Sequence, residues 1–177
     1  MQDDVTDATR WAIERGIAQA DRICILGAGY GGYAALMGAA REPDLYRCAI
    51  GYAGLYDLET LLASDDIQRS RSTKAYLSRA LGDDTAELRS RSPVYNAEHI
   101  KAPVLLVHGM EDRQADYEQA ERMRSALEKY QKPVEWMALS GEGHGIYDEE
   151  NRREVYERIL AFLRNHLEHG VVASSAP

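Results

Sequence analysis

The chain has little of what marks specialised environments. Only two cysteines, Cys24 and Cys48, occur in 177 residues, too few for a disulfide framework or a cysteine-based metal site. Both fall within apolar, strand-like runs, so buried free thiols are expected rather than a disulfide. Positive charge is in deficit: 21 Lys and Arg against 29 Asp and Glu give a formal net charge of −8. Nucleic-acid binding needs a basic face to meet phosphates. Arg69, Arg71, Arg89 and Arg91 form no continuous stripe, so no nucleic-acid partner is expected. No run reaches the ~18 apolar residues of a membrane span, and the acidic start Met1-Gln2-Asp3-Asp4 lacks the apolar core of a signal peptide. The expectation is a cytoplasmic protein with no membrane partner, no cofactor and no metal.

What is present is an ordinary globular balance, 45% apolar and 28% charged, at a length that suggests one domain. Val5, Ala8, Trp11, Ala12 and Ile17 recur at helical spacing. An apolar run at 22–26 reads as a buried strand ended by Gly27, and 30–40 reads as a helix stopped by Pro43. Residues 46–50 read as a second strand and 57–92 as an excursion of short helices. The nearly wholly apolar 102–108 reads as a third strand, of the kind buried on both faces. A helix over 116–130, a fourth strand over 133–139 and a closing helix over 149–168 follow. Trp11, Trp136 and Phe162 are expected to pack in the interior, as are Met123 and Leu127. This alternation predicts an α/β fold: about four parallel strands covered by helices on both faces, over residues 1–169, with a loose tail at 170–177.

In an open parallel sheet, chemistry collects beyond the carboxyl ends of the strands. Three glycine-rich loops stand there: Gly27-Ala28-Gly29-Tyr30-Gly31-Gly32, His108-Gly109-Met110-Glu111-Asp112 and Gly141-Glu142-Gly143-His144-Gly145. A sharp strand-to-helix turn, then an acid, then a histidine is the chain order of the α/β-hydrolases. A nucleophile elbow needs neighbours without bulk, which Gly27, Gly31 and Gly32 supply. Asp112 is the candidate acid that orients the imidazole of His144, the candidate base. Glu111 is expected to be solvated and His108 structural. The G-x-S-x-G elbow asks for serine at position 29, and this chain has glycine there. Gly29 suits a strained backbone but has no oxygen with which to form an acyl-enzyme.

These motifs resemble the prolyl oligopeptidase family of serine peptidases. Gly27-Ala28-Gly29-Tyr30-Gly31-Gly32-Tyr33 is similar to its G-x-S-Y-G-G-Y elbow. Arg91-Ser92-Pro93, the run from Ile100 to Gly109, Glu118-Gln119-Ala120 and Gly141 to Gly145 also resemble it. The similarity runs from about Asp3 to about Leu167, and the acylaminoacyl-peptidase and dipeptidyl-peptidase branches look nearest. The resemblance implies the C-terminal part of an α/β-hydrolase domain, with Asp112 as triad acid, His144 as triad base and the Tyr30 N–H as one oxyanion donor. It implies a peptide substrate for an intact parent, and upstream a β-propeller, the first strands of the sheet and the other oxyanion donor. Strand 22–26 would then lack one neighbour, and a homodimer through that apolar edge is expected.

Three rival readings stay open on the sequence. The elbow also fits the dinucleotide-binding pattern G-x-G-x-x-G, but the second strand ends in Gly51-Tyr52 without the acid that pattern wants. A non-catalytic interaction module would account for Gly29. An esterase of the same fold would use the same three loops.

Overall fold

The computed structural model describes residues 2–168; the tail expected at 170–177 lies outside them. Helix α1 (Gln2–Glu14) leads into strand β1 (Cys24–Ala28), helix α2 (Tyr30–Arg41) and strand β2 (Cys48–Tyr52). The excursion contains α3 (Leu58–Ala63), α4 (Asp65–Arg69), α5 (Arg71–Leu81), α6 (Thr85–Ser90) and a 3-10 helix, Pro93–His99. Then come β3 (Val104–Gly109), α7 (Tyr117–Lys129), β4 (Val134–Leu139) and α8 (Glu149–Leu167). The four strands are parallel and lie in sequence order. The fold is therefore the α/β arrangement expected, with helices on both faces.

Period-two alternation in the strands sorts the core into two layers. Ala49, Val104 and Leu106 face α2 and α7 and pack with Leu36, Tyr56, Met123 and Leu127. Ile50, Leu105 and Val107 face α8 and pack with Leu139, Val155 and Phe162. Every residue of β3 is buried, which is why its sequence is apolar without alternation.

The observed β1 and β2 run on past the ends of the expected strands, to Ala28 and Tyr52. Glycines read as strand breakers belong to the ladder, since Gly27 is the register partner of Gly51. The excursion is fastened by a buried amide. Gln119 Oε1 accepts from the Tyr56 and Asp57 N–H groups at 2.8 and 2.7 Å, and its Nε2 donates to the Asp57 carbonyl at 3.0 Å.

Two expectations are corrected. Cys24 and Cys48 form a disulfide, because the parallel register sets them opposite one another across β1 and β2. Trp11 is 53% exposed, with the Arg15 guanidinium over its ring. Helix α1 packs against α2, and among the described residues β2 is the one strand that pairs with β1.

Candidate active site

The three glycine-rich loops meet at the carboxyl ends of β1, β3 and β4. The first is a sharp elbow. Gly29 has φ 56° and ψ −121°, a left-handed conformation that L side chains seldom adopt without support. Its N–H donates to the Tyr52 carbonyl at 2.9 Å, and its carbonyl accepts from Gly32 N–H at 3.0 Å. A Cβ at position 27 would overlap the Gly31 backbone, and one at position 32 would lie 2.9 Å from Gly54 Cα. Both positions thus need glycine for close approach. Gly31 differs from the expectation: a Cβ there meets nothing within 4 Å. Tyr30 begins α2, so its N–H belongs to the helix-end donors beside position 29.

The second loop carries Asp112, which is buried while its neighbour Glu111 is exposed. One oxygen, Oδ1, accepts from Gln114 N–H at 2.8 Å and Ala115 N–H at 3.0 Å. The other, Oδ2, accepts from His144 Nδ1 at 2.8 Å and lies 3.3 Å from His108 Nε2. His108 Nε2 also lies 2.7 Å from the Ala115 carbonyl oxygen. A carbonyl can only accept, so this nitrogen carries the proton. Burial is the main cause that pushes the His108 imidazole below its ordinary pKa, which keeps the ring neutral beside the carboxylate. His108 is therefore a support for Asp112.

The third loop brings His144 over the elbow. A Cβ built on Gly29 would stand 3.5 Å from His144 Nε2 and 3.8 Å from Cε1, with no other group outside its chain neighbours within 4 Å. Tyr52 Oη donates to the His144 carbonyl at 3.3 Å. Burial, reinforced by the Asp112 charge, pushes the Tyr52 hydroxyl up to about 12, so it stays a donor. The loop is also held by Glu142, a buried residue that the sequence did not single out. Its Oε2 accepts from Tyr147 N–H at 2.9 Å, and its Oε1 from Asp148 N–H and Asn151 Nδ2, both at 3.0 Å. The acid and histidine loops touch: Glu111 N–H donates to the Glu142 carbonyl at 2.9 Å, and a Cβ at Gly109 would overlap the Gly143 carbonyl.

Position 29, Asp112 and His144 are thus brought together, in line, from three loops far apart in sequence. The dinucleotide reading loses its footing here. His144 stands over the turn where phosphates would approach, and Asp57, the first acid after the second strand, is taken up as the buried N-cap of α3, accepting from the Glu59 and Thr60 N–H groups. Among the described residues no cluster of histidine, cysteine or acidic side chains could hold a metal ion.

The parallel sheet, the elbow after its first strand and the acid and histidine loops that follow define the α/β-hydrolase class. The sequence model of the prolyl oligopeptidase family matches residues 1–170. The chain belongs to that family. It is 32% identical over 158 residues to dipeptidyl aminopeptidase BIII of Pseudoxanthomonas mexicana, an alignment that covers 86% of this chain and 23% of the relative. It is 24% identical over 169 residues to the human acylamino-acid-releasing enzyme, covering 93% of this chain and 23% of that protein. A puromycin-hydrolyzing peptidase of Mycobacterium tuberculosis superposes with a TM-score of 0.85 at 27% identity, over 94% of this chain and 25% of that structure. The chain spans about a quarter of the length of these relatives.

Proposed function

We propose that this chain is the part of a serine-type peptidase that carries the elbow, the acid and the base. In this reading position 29 is the nucleophile position, Asp112 the triad acid, His144 the triad base and the Tyr30 N–H one oxyanion donor. One observation carries it: a side chain at position 29 would start 3.5 Å from His144 Nε2, while His144 Nδ1 is 2.8 Å from Asp112 Oδ2. That is the relay a hydroxyl nucleophile needs. Glycine supplies no hydroxyl, so the chain as it stands forms no acyl-enzyme and is inactive as a serine peptidase.

The substrate class follows from the relatives' activity on peptides and from a cavity of about 270 Å³ beside the elbow. Tyr30, Tyr33, Leu58, Leu61 and Leu77 line it, which suits an apolar side chain next to the scissile bond. Arg91 is the one charged residue in that lining. An esterase of the same fold would use the same relay. A non-catalytic role for this chain is favoured by Gly29 alone.

The experiment is Gly29→Ser followed by a fluorophosphonate probe. Covalent labelling of the variant, lost again when His144→Ala is added, is the expected result. An unlabelled Gly29→Ser protein that is folded would sink the nucleophile assignment. A cytoplasmic location belongs to the same proposal, but the disulfide bears against it, because such bonds are rare in reducing compartments. Thiol trapping in intact cells that finds both cysteines oxidised would refute that location.

A further inference from the structure

We propose that Asp112 and His144 activate a water molecule over Gly29, giving this chain a single-displacement hydrolysis of activated carboxylic esters that needs no side-chain nucleophile. The inference rests on the reading of Asp112 and His144 as acid and base. It goes beyond that reading by taking the missing oxygen from solvent.

The base is already set. Asp112 is a carboxylate with two backbone N–H groups on Oδ1, so it serves as an acceptor toward His144 Nδ1 at 2.8 Å. That fixes the tautomer: Nδ1 carries the proton and Nε2 keeps its lone pair. The lone pair faces position 29, where the side chain is a hydrogen. The imidazole edge is the sole group beyond the chain neighbours within 4 Å of a Cβ at that position. Replacing a CH2OH group by hydrogen frees room on the scale of one water, which occupies about 30 Å³ in the liquid. A water at hydrogen-bond distance from Nε2, about 2.7–3.0 Å, falls where a serine oxygen would stand. Solvent reaches it, since the His144 side chain is 33% exposed while Asp112 is fully covered. The imidazole is thus open to solvent, while the carboxylate that orients it is dry.

The step balances with ester and water alone. The water oxygen forms a bond to the ester carbonyl carbon, its proton passes to His144 Nε2, and the carbonyl pair moves onto oxygen. Collapse re-forms the carbonyl and breaks the bond to the leaving oxygen. The imidazolium proton goes to that oxygen or, for a weakly basic phenolate, to solvent. The products are a carboxylic acid and an alcohol or phenol. Esters with good leaving groups are the fitting substrates, because their departure needs no protonation and little oxyanion support. Amides need both.

The probe is p-nitrophenyl acetate, with the wild-type chain compared with His144→Ala, Asp112→Asn and Gly29→Ser. Wild type is expected to release nitrophenol linearly from the first turnover, to ignore fluorophosphonate and to slow in deuterium oxide. His144→Ala should lower the protein-dependent rate about 100-fold, the low end of what a positioned general base contributes, and Asp112→Asn should lower it as well. An initial burst, or a rate insensitive to deuterium, would mean that the ring itself is acylated and would overturn the water route. So would a rate unchanged in His144→Ala. If Gly29→Ser is labelled by fluorophosphonate while the wild-type rate does not depend on His144, only the water route falls. If Gly29→Ser is not labelled and the wild-type rate does not depend on His144, the acid and base assignment falls with it.

Discussion

At the scale of single residues, the site depends on side chains that never meet a substrate. Glu142 shows this best. It hides its carboxylate under the His144 loop and accepts from two backbone N–H groups and one amide. The Tyr147 N–H, then Asn151 Nδ2 and then the Asp148 N–H hold its pKa below the usual carboxylate value, against burial and the nearby Asp148 charge. A group whose pKa is depressed by folding stabilises the fold above its unfolded pKa, and that contribution is lost as pH falls through the folded value. Glu142→Gln sets an amide donor against donors and should cost about 1–3 kcal/mol at neutral pH, the range for leaving a buried polar group unpaired. In denaturant unfolding, the gap between variant and wild type should narrow as the pH falls below the carboxylate range. A gap that stays constant with pH would show that Glu142 acts by shape alone. Gly29 illustrates the complementary case. Its positive φ is cheap for glycine, so Gly29→Ser trades backbone comfort for a hydroxyl at the proposed nucleophile position.

At the scale of elements, the strands, the helices and the three loops were legible because each is written locally. Apolar runs end in glycine clusters, and helix periods start at their caps. What the sequence left open was adjacency. Cys24 and Cys48 each sit in the middle of the expected strands 22–26 and 46–50, yet nothing local says that those strands are neighbours in register. The same gap hid the exposure of Trp11, whose helical spacing promised burial while the face it shares stays open. Nothing local marks Glu142 between its two glycines, because the N–H groups it satisfies belong to the turn entering α8. The disulfide has a consequence for β1 as an element. It pins the start of the strand to β2, while the elbow loop hangs from its other end. Closing a loop with a sequence separation of 24 restricts the unfolded chain by about 3 kcal/mol. Reduction, or the paired change Cys24→Ala and Cys48→Ala, is expected to lower unfolding stability by about that amount. Identical denaturation midpoints with and without reductant would contradict it.

At the scale of the whole molecule, β1 and β4 are the two edges of the sheet among the described residues, and β1 is the one that carries the elbow. Strand β1 has one partner among the described residues. Leu26 on it is 52% exposed, and Val5, Ala8, Ala12 and Ile23 line an apolar groove alongside. An apolar edge strand with unsatisfied N–H and C=O groups is a template for another strand. In solution the available occupant is a second copy, β1 against β1 about a two-fold axis, so that the same patch meets itself. The net charge of −8 on each copy opposes the approach, and screening relieves that repulsion. Sedimentation is therefore expected to show a concentration-dependent dimer that tightens as salt is raised. Leu26→Lys should shift it to monomer, since a charge facing its own symmetry mate blocks edge pairing. A wild-type chain that remains monomeric at high concentration and high salt would show that α1 and the connection to β1 protect the edge without a partner.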